Sequence, residues 1–262
     1  MPPFTNRKKY MKKDSKSINV YWAPHSIPQD GGITENWNMM YEDLVNVFQY
    51  WNKFDIKDGR EDSFMKCPAF QNLSKNLYAF NFPIDSSYQY KAHSNSVDEI
   101  EIIPTSKHYV SIFAPRDQTM SYGPNVELAL RLHMFAEEPL EVMLTGPYLE
   151  SVEYMKSGFL TSGQFDIGQW FRTLNAEVQL KGNEGEIHFK KGEPLLYIKF
   201  LTDKKINLKR FELTSELDTY SRKCITSRNI FGKKMTLLEK YDIFNKSRTR
   251  EIVLKKIKEN LI

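Results

Sequence analysis

The sequence predicts a mainly β protein: an antiparallel β-sandwich or jelly-roll-like barrel with a short N-terminal helix and a helical C-terminal tail. Three observations support this prediction. Between about residues 64 and 200, apolar and polar residues alternate in short runs, which is typical of strands. Turns rich in Gly, Pro and Asn separate the runs and leave no room for crossover helices, which favours antiparallel pairing. At 262 residues and 40% hydrophobic content, the chain can bury a core of the required size.

The chain divides into four segments by composition. We predict a disordered basic arm over 1–17, a strand-helix segment over 18–63 that packs on the main domain, a β-sandwich domain over 64–203 and a basic helical region over 204–262. The first segment contains almost nothing apolar to bury, so it is not expected to fold by itself.

The individual elements follow from residue spacing. The β-branched and aromatic run 18–22 predicts a strand that stops at Pro24, and the apolar spacing within 37–51 predicts a helix. The clearest strand is 126–134, where even-numbered apolar residues share one face and Glu127, Arg131 and His133 share the other. Further strands are expected at 77–82, 108–113, 140–145, 172–180, 185–189 and 195–201.

The C-terminal segment shows helix start signals. Thr236 and Glu239 fit a capping box, so a helix is expected from there to about Asn245. Ser247 or Thr249 can cap a second helix with an apolar stripe, formed by Ile252, Val253, Leu254, Ile257 and Leu261.

The net charge of +4 conceals an uneven distribution. Residues 1–16 carry six Lys or Arg and one Asp, and residues 204–262 carry sixteen Lys or Arg and seven Asp or Glu. Because the whole chain is +4, residues 17–203 carry −10. The main domain is therefore acidic between two basic ends, and the basic ends predict at most a sequence-independent contact with nucleic acid. They could equally dock on an acidic protein, including another copy of this chain.

Several classes of protein are excluded by composition. The sequence has no uncharged apolar run of the roughly 18 residues needed to cross a bilayer, and residues 1–16 lack the apolar part of a secretory signal. We therefore expect a cytoplasmic protein that is neither secreted nor transmembrane and has no membrane partner. Cys67 and Cys224, the two cysteines, are too few for a disulfide scaffold or a cysteine-rich zinc site.

A series of short motifs resembles a group of uncharacterised β-rich proteins from tailed phages and some bacteria. The motifs span about 20–262 and are Lys66-Cys67-Pro68-Ala69-Phe70, Lys75-Asn76-Leu77-Tyr78-Ala79-Phe80, Phe82-Pro83-Ile84-Asp85, Thr145-Gly146-Pro147, Gly163-Gln164-Phe165-Asp166 and Lys191-Gly192-Glu193-Pro194. The resemblance implies a β-rich fold and a viral or bacterial origin, with the host cytoplasm as the location of a viral protein. It implies no substrate. Gln169 departs from the group's pattern, which tends toward an acidic residue before the Trp.

Histidines on a jelly roll raise the question of a metal-dependent, cupin-like oxygenase. Such enzymes bind their metal with two His and one carboxylate. No His in this chain is followed two residues later by Asp or Glu. His133 and Arg131 could still converge with His108 and His188 after folding. These four are the candidate catalytic residues, and the three histidines are the candidate metal ligands.

Other catalytic signatures are missing from the sequence. It contains no Gly-x-Ser-x-Gly elbow, no P-loop and no Gly-x-Gly-x-x-Gly fingerprint, which removes the strong local signals for three enzyme classes. Carboxylate pairs such as Asp117 and Glu127 cannot be placed relative to each other from the sequence. The cofactor and any catalytic role therefore stay unassigned.

Aromatic residues and long loops supply the remaining binding candidates. Loops expected at 23–36 and 115–125 could form a groove, because binding residues are often found on loops of β scaffolds. The candidates are Trp22, His25, Trp37, Arg116, Asp117, Tyr122 and Trp170. Core packing is the competing interpretation for the tryptophans.

The leading hypothesis is a non-catalytic binding or assembly protein of phage type that meets a protein partner or another copy of itself. A cupin-like, metal-dependent enzyme is the first alternative. A nucleic-acid-associated accessory factor that uses the basic ends is the second.

Overall fold

The computed structural model describes residues 17–24, 43–49, 66–92, 100–107, 113–120, 123–225 and 235–262. Within these ranges the chain forms fourteen strands and four α-helices. The helices are α1 (Pro68–Ser74), α2 (Ser215–Ile225), α3 (Leu237–Lys246) and α4 (Thr249–Glu259). A short 3₁₀ helix spans Glu153–Lys156.

The strands form three sheets. In chain order they are β1 (Ile18–Pro24), β2 (Val45–Asn46), β3 (Leu77–Asn81), β4 (Ser86–Ala92), β5 (Ile100–Pro104), β6 (Phe113–Met120), β7 (Gly123–Ala136), β8 (Glu141–Thr145), β9 (Gly158–Thr161), β10 (Gly163–Asp166), β11 (Thr173–Leu180), β12 (Glu184–Phe189), β13 (Pro194–Phe200) and β14 (Ile206–Arg210). Sheet A has the order β14-β1-β7-β11-β9, and β6 also pairs with β7. Sheet B has the order β10-β8-β13-β3-β2, and sheet C the order β12-β4-β5.

The prediction of a mainly β, sandwich-like fold is confirmed. The described sheets stay open at their edges, so the sandwich alternative fits better than the barrel. The pairings are antiparallel with one exception, since β1 and β14 run parallel, with Ile18 opposite Ile206. This pair lies far apart in sequence, which is why alternation within a short window did not reveal it.

The main core lies between the sheets. Even-numbered residues of β7, such as Leu128 and Leu132, are fully buried in it, as the alternation predicted. Ile18, Val20 and Trp22 of β1 and Ile206 of β14 join the same core. The sandwich therefore uses strands on both sides of the segment 64–203.

A second core lies between the outer face of sheet A and the C-terminal helices. Tyr21 and Phe135 face outward from sheet A and pack with residues of the helical region, among them Phe244, Val253 and Ile257. Strand β1 is consequently buried on both faces, which explains why its sequence is apolar without strict alternation. The helices form a layer on the sandwich.

Several local predictions can be compared with the structure. The capping box at Thr236 and Glu239 is present. Helix α4 instead has Arg248 at its N-cap, while Ser247 Oγ accepts the Thr249 N–H at 3.2 Å. Residues 115–120, expected in a loop, belong to β6. Residues 45–46, expected in a helix, form β2.

Candidate functional site

The structure does not bring the described candidate histidines together. His133 lies on β7 of sheet A and is fully buried, whereas His188 lies on β12 of sheet C, 46% exposed and 3.2 Å from Glu186. Arg131 lies on β7 as well, but its side chain is outside the described part of the structure, as is the whole of His108. Within that part, no group of three or more His, Cys, Asp or Glu could hold a metal ion.

His133 contacts helix α2. Its Nε2 lies 2.9 Å from Ser221 Oγ, and its ring lies 5.5 Å from that of Phe171. Ser221 is 3% exposed, so a substrate in solution cannot reach this pair. One turn further along α2, burial raises the pKa of the Cys224 thiol to about 11, which keeps it protonated and unreactive. This polar cluster ties the helical layer to sheet A.

Of the two described tryptophans, Trp22 is buried and Trp170 is partly exposed. Trp22 is 2% exposed in the main core, and the Arg210 guanidinium lies over its ring at 5.0 Å. Trp170 lies between Arg172 (4.4 Å to the ring) and the Tyr241 ring of α3 (4.2 Å). Trp22 is therefore closed to a stacking ligand, whereas a binding role for Trp170 stays a prediction.

The other binding candidates are placed only in part. Arg116 and Asp117 lie on β6, where the backbone is described and the side chains are not. His25, Trp37 and Tyr122 lie outside the described residues. Their role in a groove stays a prediction.

A groove runs along the edge of sheet A at β14. It has a volume of about 450 Å³. Apolar side chains and charged side chains both line it, namely Trp22, Leu44, Leu208, Leu261 and Ile262 together with Asp43, Lys209 and Arg210. In the described part of the chain, β1 is the sole strand neighbour of β14. The groove therefore borders a sheet edge.

At alternate residues of β14, the backbone N–H and C=O groups point toward this groove. The N–H of Ile18 donates to the Lys205 carbonyl at 2.8 Å, and the N–H of Phe211 donates to the Trp22 carbonyl at 3.0 Å. Odd-numbered residues thus face β1, and the backbone groups of Leu208 and Arg210 point to the open side. The C-terminal residue Ile262 uses this edge, because its N–H donates to the Arg210 carbonyl at 3.1 Å.

A second polar feature lies on the outer face of sheet A, where β7 and β11 pair. Glu127 lies directly opposite Glu177 in the antiparallel register. Asn125 Nδ2 donates to Glu177 Oε2 at 2.8 Å, and Asn175 Nδ2 donates to Glu127 Oε1. Each strand contributes one Asn-x-Glu sequence, so a local two-fold axis relates the two halves. We call these four residues the Asn-Glu ladder.

The β7 half of the ladder is largely removed from solvent, whereas Asn175 and Glu177 on β11 are partly exposed. Asn125 is 1% exposed and Glu127 is 9% exposed. The side-chain oxygens Asn125 Oδ1 and Asn175 Oδ1 are buried without a hydrogen-bond partner. Buried polar atoms of this kind require an explanation, because each costs free energy.

Neither feature emerged from the sequence as a site. The repeated Asn-x-Glu at 125–127 and 175–177 was a visible signal, but only the register shows that the two copies face each other. Strand β14 was hidden inside a segment whose high Lys and Arg content and later capping box suggested helix. The comparison with known proteins adds no further signal, since no family model, curated protein or solved structure matches the chain.

No helix in the described ranges is both long and apolar enough to cross a membrane.

Proposed function

We propose that this chain is a non-catalytic binding and assembly protein of phage type, in which the open edge of β14 receives an extended strand from another copy. The phage assignment is supported by the sequence motifs alone. The observation that carries the assembly proposal is the edge of β14 beside its apolar groove. Strand addition supplies main-chain hydrogen bonds for affinity and side-chain pockets for specificity.

The edge of β14 is basic. Lys205 precedes the strand and Lys209 lies on it, both exposed. Arg210 adds a third positive charge at the groove, and Asp43 is 3.8 Å from it. An incoming strand should therefore carry acidic residues, with an apolar side chain for the part of the groove near Leu208.

Strand β5 of a second copy has these properties. It is an edge strand of sheet C among the described strands. Glu101 lies within it, Asp98 and Glu99 precede it in sequence, and Ile103 is 48% exposed. We therefore assign β5 of one copy as the strand that enters the groove of the next.

Pairing of β5 with β14 is heterologous, because the two partners use different surfaces. After one such pairing, one copy still has an unused β14 and the other an unused β5, so assembly proceeds head to tail and produces rings or filaments. The proposed partner is thus a second copy of the chain, and the proposed location stays the cytoplasm, the host cytoplasm for a phage protein.

The structure gives less support to the two alternative functions, a cupin-like enzyme and a nucleic-acid-associated factor. A cupin-like enzyme needs converging metal ligands, and His133 and His188 lie in different sheets. A nucleic-acid factor needs lysines that reach phosphates. Several tail lysines already pair with carboxylates, as Lys256 does with Glu216 at 3.1 Å and Lys258 with Glu137 at 3.0 Å.

Sedimentation at increasing protein concentration tests the proposal. We expect the wild-type mass to rise with concentration, and Lys209→Glu to weaken association at least tenfold, because it places a negative charge opposite the acidic strand. Ile103→Lys should weaken it similarly from the other side. Lys223→Glu, an exposed lysine on α2, is the matched control and should associate like the wild type.

The size of the assemblies formed by a mixture of Lys209→Glu and wild-type protein distinguishes heterologous from two-fold association. Lys209→Glu retains its own β5, so adding it to wild-type protein should cap growing assemblies and shorten them. Wild-type protein that stays monomeric at all concentrations contradicts the proposal. So does a loss of association that is equal in Lys209→Glu and Lys223→Glu.

A further inference from the structure

We infer that residues 260–262 are an autoinhibitory segment, which holds one end of the β14 edge until a strand of another copy displaces it. The inference rests on the proposed function, because it adds a regulatory contact to the same edge. The proposed function concerns the strand that enters the groove, whereas the inference concerns the segment that this strand must replace.

The segment after α4 pairs with the end of β14 in the manner of a short strand. The N–H of Glu212 donates to the Asn260 carbonyl at 2.9 Å, and the N–H of Ile262 donates to the Arg210 carbonyl at 3.1 Å. The two residues enclosed by these bonds lie opposite each other in an antiparallel bridge. Paired main-chain bonds of this kind are those of an antiparallel ladder, so the segment already adds a strand to this edge.

This segment and an incoming strand require the same backbone group. Leu208 and Arg210 direct their backbone groups to the open side of β14, so a strand that pairs with the whole of β14 must donate to both carbonyls. The Arg210 carbonyl already accepts the N–H of Ile262. The side chains of Leu261 and Ile262 also line the groove at this end. The segment and the incoming strand therefore exclude each other at Arg210.

The contact is weak enough for a partner to displace it. The side chains of Leu261 and Ile262 stay 41% and 80% exposed, so the segment buries little apolar surface. Segments with few buried contacts open at a low free energy. Strand β5 has five residues and carries the exposed Ile103, so it offers β14 a longer ladder and a further apolar contact. Residues 260–262 thus raise the protein concentration at which copies pair, without preventing pairing.

Sedimentation of two variants at position 262 tests the inference. Ile262→Pro removes the N–H that donates to Arg210. It should therefore associate at a roughly fivefold lower protein concentration than the wild type, the effect of one main-chain hydrogen bond. Ile262→Ala is the matched control, because it keeps this N–H and shortens an exposed side chain. It should associate like the wild type.

A disulfide that locks the segment in place should produce the opposite change. Residues that exchange main-chain bonds in an antiparallel ladder have Cα atoms about 5.5 Å apart, which a disulfide can span. We therefore combine Arg210→Cys and Ile262→Cys, with the exposed Cys67 replaced by Ser. The oxidised protein should associate more weakly than the same protein after reduction. Because both states lack Arg210, the loss of its charge does not affect the comparison.

The outcomes separate this inference from the proposed function. Wild-type association that Lys209→Glu weakens, but that neither Ile262→Pro nor the disulfide changes, overturns the inference and leaves the proposed function standing. Equal gains in Ile262→Pro and Ile262→Ala also overturn it, because the N–H is then not what holds the segment. If the wild type and Ile262→Pro both stay monomeric, the proposed function and the inference are both wrong.

Discussion

At the scale of single residues, Glu137 shows how one side chain joins the sandwich to the helical layer. Its carboxylate accepts hydrogen bonds from the Tyr21 hydroxyl of β1, from Asn19 at 3.4 Å and from Lys258 of α4 at 3.0 Å. Burial alone raises the pKa of the Glu137 carboxyl, but these donors outweigh it, and the net pKa lies below the usual 4.5. Burial, followed by the contact with Glu137, raises the pKa of Tyr21.

This carboxylate makes the stability of the protein depend on pH. Since the pKa of Glu137 is lower in the folded state, its contribution is present above pH 4.5 and is lost as the pH falls through the folded pKa. Glu137→Gln should therefore cost about 2 kcal/mol at pH 7, the range for hydrogen bonds to a charged group, and should flatten the loss of stability on the acid side. Urea unfolding between pH 3 and 7 measures both effects.

The neighbouring residue provides the control for that experiment. Glu138 pairs with Lys204 at 2.6 Å while both side chains are about 40% exposed, and exposed ion pairs contribute little. Glu138→Gln should leave the pH profile close to that of the wild type. Equal profiles for Glu137→Gln and Glu138→Gln would mean that Glu137 does not join the two layers.

At the scale of elements, the predictable parts are those whose cause is local. Strand β7 was recognised because five even-numbered apolar residues share its core face, and α3 because its capping chemistry lies within four residues. Strand β14 was missed, since its strand character comes from pairing with β1, nearly two hundred residues away. The ladder was missed for the same reason: each Asn-x-Glu is an ordinary polar pair until the register places the two together.

The capping box of α3 gives an element-scale prediction. Thr236 Oγ1 accepts the Glu239 N–H at 3.3 Å, and Glu239 Oε2 accepts the Thr236 N–H at 2.7 Å. Thr236→Ala should destabilise the protein by about 1 kcal/mol, the usual cost of removing an N-cap, and lower the melting temperature by roughly 2–4 °C for a chain of this size. Differential scanning calorimetry detects a shift of this magnitude.

A threonine inside a helix is the matched control. Thr219 Oγ1 donates to the Ser215 carbonyl within α2 at 2.9 Å and caps nothing. A hydroxyl that bonds back to its own helix does not stabilise it, so Thr219→Ala should be neutral or slightly stabilising. If both alanine variants lose the same stability, the box at Thr236 has no special role.

At the scale of the whole molecule, the two edge strands of the proposed pairing lie in regions of opposite net charge. The body of residues 17–203 carries −10 and contains β5, while residues 204–262 carry +9 and contain β14. In the assembly that we propose, two copies attract each other when the acidic edge of one approaches the basic edge of the other, and repel in the like-to-like orientations. The sequence predicts the oppositely charged regions. The structure adds that β5 and β14 are edge strands among the described sheets, so the charges lie where a second strand could pair.

Zero-length cross-linking of amines to carboxylates in an equal mixture of ¹⁴N- and ¹⁵N-labelled wild-type protein tests the proposed assembly most directly. We predict mixed-isotope peptides that join Lys205 or Lys209 to the acidic segment 98–101. Lys91 lies opposite Glu101 within one chain, so a same-isotope link between them serves as the internal control. Mixed-isotope links confined to other surfaces, or links that all occur within one isotope, would contradict the pairing of β5 with β14.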